Sequence, residues 1–209
     1  MSSDKGQLIV ISAPSGAGKT SIIKNVIKKL NDENRKSKFS VSHTTRLPRE
    51  GDIDGSDYFF VSNEIFDELY EAGNFIETAE VHDYKYGTSK DFIDENINKG
   101  INVFLEIDVQ GFQKLRNRNI EFRSMFILPP SIEELRKRIQ KRGLDSEDVI
   151  EKRMKNALKE LGEAEEYDYL VINDVFEQAI EELLEIVINK DFKDQMHDKK
   201  LKILQDLLS

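Results

Sequence analysis

An apolar run that ends in a glycine-rich turn and a Lys-Thr pair constrains the fold of this chain more than any other part of the sequence. The run covers residues 8–12, and the turn and pair read Ala13-Pro14-Ser15-Gly16-Ala17-Gly18-Lys19-Thr20. This pattern predicts a buried strand, a phosphate-binding loop and a helix. Small residues let backbone N–H groups converge on phosphate oxygens, and the helix N-terminus adds positive potential. Lys19 is then expected to contact a transferring phosphoryl group, and the Thr20 hydroxyl to hold Mg²⁺.

One position departs from the usual pattern of such loops. They commonly begin with Gly, and this chain has Ala13 there. Ala fits only if its φ is negative, because Cβ penalises positive φ. The alternative, an ordinary strand-to-helix turn, is disfavoured because the Gly-x-Gly-Lys-Thr spacing is rare in a chain of average composition.

Composition narrows the class of protein. A chain of 209 residues predicts one domain, and a net charge of −9 argues against a general nucleic-acid binder. The absence of cysteine excludes disulfides and thiolate metal sites, which is typical of a reducing cytoplasm. The three histidines lack metal-ligand spacing, and no apolar stretch has the length of a membrane span. We therefore expect a cytoplasmic protein with no nucleic-acid or membrane partner.

Hydrophobic periodicity predicts alternating strands and helices through most of the chain. Strands are predicted at residues 7–12, 39–42, 58–61, 75–81, 101–107, 123–128 and 169–172. Helices are predicted at residues 19–31, from about 63, at 91–99, from 131 to 143, from 145–148 to about 165, and at 176–189. This order favours an α/β fold with a parallel sheet. Residues 37–90 interrupt the alternation and indicate an inserted substrate-binding lobe, and a charged tail with helical period begins at residue 191.

A second group of residues suggests a second anion site. Arg46 and Arg49 lie three positions apart in a turn-rich segment, and arginine forks suit phosphate oxygens. Tyr58, Glu77 and Tyr86 follow. Without the phosphate loop, solvated surface and half-buried packing would be the favoured interpretation of these residues.

In chain order, these segments resemble bacterial guanylate kinases over residues 6–189. The resemblance rests on residues 13–20, the run Ser42-His43-Thr44-Thr45-Arg46-Leu47-Pro48-Arg49-Glu50-Gly51, Tyr58, Phe75-Ile76-Glu77, Tyr86-Gly87-Thr88, Glu106-Ile107-Asp108-Val109-Gln110-Gly111, Pro129-Pro130-Ser131, and Arg138 with Arg142-Gly143. It implies one nucleoside-monophosphate-kinase-like α/β domain, with helices on both faces of a parallel sheet. The implied core comprises residues 6–36, 91–130 and 163–190, with a mixed α/β GMP-binding lobe at 37–90, a helical lid at 131–162 and a helical tail at 191–209.

The resemblance also implies an activity and a set of roles. The expected reaction transfers the γ-phosphoryl group of Mg·ATP to GMP, and also to dGMP, in purine nucleotide metabolism; a homodimer is possible in this family. ATP is expected on Ala13, Pro14, Ser15, Gly16, Ala17, Gly18, Lys19, Thr20, Ser21 and Asn173. GMP is expected on Ser42, Arg46, Arg49, Tyr58, Glu77, Tyr86, Thr88, Glu106 and Asp108. The expected catalytic residues are Lys19, Arg46, Arg138, Arg142 and Arg153, and the expected metal ligands are Thr20 and Asp108.

The role of Glu106 stays open at this point. The family usually has Asp at this position, and Glu is one methylene longer, so its carboxylate could meet the guanine, the metal shell or neither. Three other functions are also open. They are an inactive guanylate-kinase-like interaction module, a kinase of the same fold for another monophosphate, and a nucleic-acid-binding ATPase. The intact phosphate loop argues against the first, and the acidic charge argues against the third.

Overall fold

A computed structural model describes residues 5–81, 83–118, 120–141 and 146–209. The first half of the chain contains β1 (Leu8–Ser12), α1 (Lys19–Asp32), β2 (Ser37–Phe39), β3 (His43–Thr44), β4 (Phe59–Phe60), α2 (Asn63–Glu71), β5 (Phe75–Val81), β6 (Tyr84–Ser89) and α3 (Lys90–Asn98). The second half contains β7 (Asn102–Glu106), α4 (Val109–Arg116), β8 (Arg123–Leu128), α5 (Ile132–Lys141), α6 (Glu147–Leu161), β9 (Tyr169–Ile172), α7 (Phe176–Ile188) and α8 (His197–Leu208).

The central sheet has five parallel strands in the order β2-β7-β1-β8-β9. Every residue of β1 is buried, as expected for a strand covered on both faces. Ile9 and Ile11 face one apolar cluster, and Leu8 and Val10 face the other. The α/β fold class predicted from the sequence is therefore confirmed.

A smaller mixed sheet lies outside this core. Its order is β4-β3-β6-β5, with β3 and β4 parallel and the other neighbours antiparallel. The first predicted strand after α1, at residues 39–42, is displaced in the structure. Residues 37–39 form β2, which pairs with β7 in the central sheet, and the smaller sheet begins at His43. We refer to the smaller sheet, the loop between β3 and β4 and helix α2 together as the inserted lobe.

Helices α5 and α6 pack together beside the phosphate loop. Their contact is a small apolar cluster, formed by Leu135, Ile139, Ile150, Met154 and Ala157. Ser131 caps the start of α5, because its hydroxyl accepts the N–H of Glu134 at 3.1 Å. Arg136 of α5 forms ion pairs with Glu147 and Glu151 of α6.

The C-terminal helix α8 packs on the apolar cluster that contains Leu8 and Val10 of β1. Leu204 and Leu207 are buried in that cluster, which also contains Leu161 of α6. Lys200 is almost fully buried and pairs with Glu182 of α7 and Asp194. No helix in the described part of the chain is both long enough and apolar enough to cross a bilayer.

Candidate active site

The phosphate loop has the backbone geometry that the sequence predicts. Gly16 and Gly18 have φ angles of 95° and 87°, which side-chain-bearing residues rarely adopt. Gly18 is the N-cap of α1, and a Cβ there would lie 2.6 Å from the amide nitrogen of Asn173. Ala13 is not among the residues with positive φ, so its methyl group is tolerated at the position where Gly is usual.

Lys19 and Thr20 converge on the carboxyl end of β7. The Lys19 ammonium donates to the carbonyl of Ile107 at 3.3 Å and lies 3.7 Å from the Glu106 carboxylate. The Thr20 hydroxyl donates to the same carboxylate at 3.0 Å. The structure therefore places the Glu106 carboxylate beside the Lys19 ammonium and the Thr20 hydroxyl.

Glu77 lies on β5 with its side chain buried, only 4% exposed. Its carboxylate accepts a hydrogen bond from the Thr88 hydroxyl on the neighbouring strand at 2.5 Å. Burial raises the pKa of Glu77 to about 7, and the Asp108 charge adds to the rise, whereas the Thr88 hydrogen bond lowers it. Asp108 itself caps α4 by accepting the N–H of Gly111 at 2.8 Å.

Arg46 is preorganised inside the inserted lobe. Its guanidinium donates to Asp52 at 2.8 Å and to the carbonyl of Leu47, and it lies 5.3 Å from the ring centroid of Tyr58. The Arg49 N–H and the Arg46 guanidinium hold the pKa of Asp52 below its usual value. Burial and the Glu106 charge raise the pKa of Tyr58, which keeps its hydroxyl a hydrogen-bond donor.

One open cleft of about 710 Å³ brings the two predicted anion sites together. Its walls include most of the phosphate loop on one side and residues of the inserted lobe on the other; the predicted residues among them are Ala13, Pro14, Ser15, Gly16, Gly18, Lys19, Thr20, Ser42, Arg49, Tyr58, Glu77, Tyr86, Glu106 and Asp108. Arg46 stacks near Tyr58, and Thr88 is bonded to Glu77, so both support this wall from behind. This juxtaposition is suited to two phosphorylated ligands bound face to face.

The predicted lid residues contact the other side of the phosphate loop. Arg138 donates to Glu134 and to the carbonyl of Asn173, whose side-chain amide donates to the carbonyl of Ala17 at 2.6 Å. Arg153 donates to the Ser15 hydroxyl at 2.9 Å. Arg142 and Gly143, which also carry the resemblance, lie outside the described residues.

Two features of the cleft were not predicted from the sequence. Lys24 of α1 lies 3.8 Å from Asp57 of the inserted lobe, and both side chains line the cleft. Glu160 of α6 also lines it. The only signal for Glu160 is its spacing of seven residues from Arg153, which puts both on one helix face.

The oxygen donors of the cleft fit Mg²⁺. The Thr20 hydroxyl and the Glu106 carboxylate are neighbours, and hydroxyl and carboxylate oxygens are hard ligands. Among the described residues, no three His, Cys, Asp or Glu side chains converge on a metal site. Mg²⁺ in kinases is commonly held by one or two protein oxygens together with substrate phosphates, so this sparse donor set agrees with it.

Comparisons with known proteins point to one family. A family model described as "Guanylate kinase" matches residues 5–190. The chain is 47% identical over 203 residues to a guanylate kinase of Caldanaerobacter subterraneus, covering 97% of both chains. It is 49% identical over 179 residues to one of Hahella chejuensis, covering 86% of this chain and 84% of that one. The crystal structure of a guanylate kinase from Anaplasma phagocytophilum superposes with a TM-score of 0.71 at 31% identity, covering 97% and 95%.

Proposed function

The chain belongs to the guanylate kinase family and is an ATP:GMP phosphotransferase, and from this premise we propose how its residues divide the work. The observation that carries the assignment is the single cleft with the phosphate loop on one wall and Glu77 on the other. ATP and GMP then occupy opposite walls, with their phosphates meeting above Lys19. The predicted division into core, GMP-binding lobe at 37–90 and lid at 131–162 is part of this proposal.

On the GMP wall, we assign Glu77 to the base. An ionised Glu77 accepts from two adjacent donors, and the N1–H and 2-amino group of guanine are such a pair. Thr88 fixes the carboxylate by its hydrogen bond at 2.5 Å, and Ser42 lines the same wall. AMP lacks this donor pair and would leave a buried carboxylate poorly satisfied, which is the kind of mismatch that supports strong discrimination.

The GMP phosphate is assigned to Arg46, Arg49, Tyr58 and Tyr86. Asp52 and the Tyr58 ring already hold the Arg46 guanidinium in place, which lowers the entropy cost of binding an anion. Arg49 is exposed at the cleft wall, and Tyr58 and Tyr86 pack edge to face. This arrangement holds the acceptor phosphate at a fixed distance from the phosphate loop.

The ATP phosphates are assigned to the loop N–H groups, Lys19 and Thr20, with the neighbouring Ser21 at the start of α1. The acceptor is already an anion, so transfer needs no general base, and catalysis is positioning plus charge stabilisation. Lys19 stabilises charge on the transferring group, and Arg138, Arg142 and Arg153 add to it when the lid closes. Asn173, below the loop, is assigned to the ATP side. Mg²⁺ bound with ATP neutralises phosphate charge, and we assign its protein contacts to Thr20, Glu106 and Asp108.

The test is a coupled assay of ADP formation from ATP with GMP, dGMP, AMP and UMP as acceptors. The protein should accept GMP and dGMP as phosphoryl acceptors, and AMP and UMP should be poor acceptors. Glu77→Gln places a donor opposite a guanine donor, so the GMP/AMP ratio of kcat/KM should fall. The lost discrimination should be roughly 1–3 kcal/mol, the value of a bidentate contact to a base edge in protein–DNA complexes. An unchanged ratio in the folded variant removes Glu77 from this role. A preference of the wild type for another monophosphate would overturn the substrate assignment.

Oligomeric state and location stay predictions. A homodimer is expected only from the resemblance, and a cytoplasmic location rests on the cysteine-free composition.

A further inference from the structure

Glu160 is a half-buried acid that the proposed mechanism does not use. It lies in the last turn of α6 and lines both the main cleft and a second cleft of about 570 Å³. Its Oε2 atom is buried and has no hydrogen-bond partner among the described residues. A buried carboxylate oxygen without a partner is costly, so the position calls for an explanation.

The groups around Glu160 are those of the phosphate site. Burial raises its pKa and the Asp108 charge adds to the rise, whereas the Lys19 ammonium and the Ser15 backbone N–H lower it. Tyr167 also faces it, and the charged residues lining the second cleft are Glu80, Asp108, Arg153, Lys159, Glu160 and Glu163. The carboxylate therefore lies within the field of a lysine and a loop N–H that would otherwise serve a phosphate oxygen.

Two side chains of α6 lie close to Ser15. Arg153 donates to its hydroxyl at 2.9 Å, and Glu160 lines the same two clefts as Ser15, whose backbone N–H lowers the pKa of the Glu160 carboxyl. The two residues are seven positions apart, so they project from the same face of the helix. One face of α6 thus holds the tip of the phosphate loop with one cation and one anion.

We propose that Glu160 is an anionic stand-in for nucleotide phosphate, a positioning residue that seats α6 on the phosphate loop and is displaced when ATP or ADP binds. The same Lys19 ammonium and loop N–H cannot satisfy a carboxylate and a phosphate at once, and two anions at short range repel each other. Phosphate binding therefore displaces the Glu160 carboxylate from Ser15, while Leu161 keeps this end of α6 in the core cluster and Arg153 stays close to the phosphates. The inference rests on the assignment of the loop to ATP.

The test measures ADP binding by calorimetry without Mg²⁺ in the full chain. Glu160→Gln keeps the shape of the side chain and removes the competing charge, so ADP should bind about fivefold or more tightly at pH 8, the low end of coupling energies between sites. The ratio of the ADP dissociation constant of the wild type to that of Glu160→Gln should fall towards one as the pH is lowered, because Glu160 becomes protonated in the wild type. Titration of the ADP phosphate cancels, because it is common to both proteins. The dissociation constant of GMP should not change.

Glu163→Gln is the matched control, because it removes one negative charge from the same second cleft without touching Ser15. It should leave ADP binding as in wild type. Glu160→Ala, which removes the same charge, should show the same gain as Glu160→Gln, and thermal melting checks the folding of all three variants. Unchanged or weaker ADP binding at pH 8 in both Glu160 variants overturns the proposal, as does an equal gain in Glu163→Gln. Failure of wild type to phosphorylate GMP would instead count against the substrate assignment, and ADP titrations would still report on Glu160.

Discussion

Lys19 makes two weak contacts at the carboxyl end of β7. Its ammonium lies 3.3 Å from the carbonyl of Ile107 and 3.7 Å from the Glu106 carboxylate, at the rim of the cleft. Both contacts are weaker than the attraction expected between the ammonium and the charge on a transferring phosphoryl group. These contacts keep the ammonium at the cleft at little cost, and we propose that its main interaction forms during the reaction.

Lys19→Ala should keep the fold and lower turnover by about 10²-fold or more, the effect of removing an electrostatic donor to a transition state. Lys28→Ala is the matched control, because Lys28 is an exposed cation on the same helix. Coupled assays at saturating ATP and GMP, with melting curves for both variants, make the comparison. Near-normal turnover of the Lys19→Ala variant would remove Lys19 from the catalytic set.

The pKa of Glu77, raised to about 7 chiefly by burial, makes GMP binding depend on pH. Only the ionised carboxylate accepts both guanine donors, so affinity for GMP should rise as the pH increases from 5.5 through 7 and then level off. The measurement is the KM for GMP across this range. Glu77→Gln keeps the titration of the GMP phosphate and lacks that of Glu77, so its profile is the control. Parallel profiles in the two proteins would contradict the assignment.

The same shift predicts a change in stability. The folded chain binds a proton at Glu77 more readily than the unfolded chain, so the free energy of unfolding falls as pH rises from the unfolded pKa of 4.5 to about 7. Relative to Glu77→Gln, wild type should lose on the order of 3 kcal/mol across this window and little more above it. Urea unfolding at pH 5 and pH 8 measures the difference. A gap between the proteins that does not grow with pH would contradict a buried, proton-binding Glu77.

At the scale of elements, the inserted lobe depends on the long loop between β3 and β4, residues 45–58. Asp52 in this loop accepts from the Arg46 guanidinium and from the Arg49 backbone N–H, both at 2.8 Å. One carboxylate therefore fixes both the direction of one arginine and the turn that carries the other. The loop exposes Arg49 at the cleft wall and holds the Arg46 guanidinium beside Tyr58, without help from a helix or a long strand.

Arg46→Lys and Arg49→Lys keep the charge and lose the planar fork, so GMP binding should weaken much more than ATP binding. The larger loss is expected for Arg46, because its fork also bonds Asp52 and Leu47. Calorimetry with each nucleotide separates the two sites, and Lys38→Arg, an exposed change on β2, serves as the control. Equal weakening for both nucleotides would argue against a dedicated site for the GMP phosphate.

The sequence predicts some elements closely and misses others for physical reasons. The strand–loop–helix at residues 8–32 is specified locally by apolar residues, glycines and Lys19. β6 and α4 were not predicted, because Gly87 and Gly111 interrupt their patterns. Both glycines serve tertiary contacts, since a Cβ would lie 2.9 Å from Phe75 and 2.9 Å from Glu77 respectively.

The residues of the candidate site also fall into a group that the sequence predicts and a group that it misses. The phosphate loop and the Thr-Thr-Arg-Leu-Pro-Arg run are contiguous motifs, so sequence alone finds them. The Lys24–Asp57 pair and the approach of Glu160 to Ser15 join segments far apart in the chain. No local pattern marks such contacts, and only the packing of α6 and of the inserted lobe against the core creates them.

At the scale of the whole molecule, the cleft is open, and an exposed ion pair lies between the core and the inserted lobe. Lys24 and Asp57 lie 3.8 Å apart with 63% and 32% of their side chains exposed. Exposed pairs of this kind contribute about 0–1 kcal/mol, so this contact does not lock the inserted lobe to the core. We propose that transfer to GMP, with water excluded, requires the inserted lobe to approach the phosphate loop, which α5 and α6 already contact.

Closure should therefore be driven by both ligands together. Small-angle scattering is expected to show a smaller radius of gyration with a non-hydrolysable ATP analogue and GMP than with either ligand alone, because each ligand draws in the wall it contacts and only the pair bridges them. Arg46→Lys, which weakens GMP binding, is the control at a GMP concentration that saturates only the wild type. The ternary mixture should then resemble the analogue alone. No compaction of the wild type with both ligands bound would show that the open cleft is already the reactive form, and water would have to be excluded by the substrates themselves.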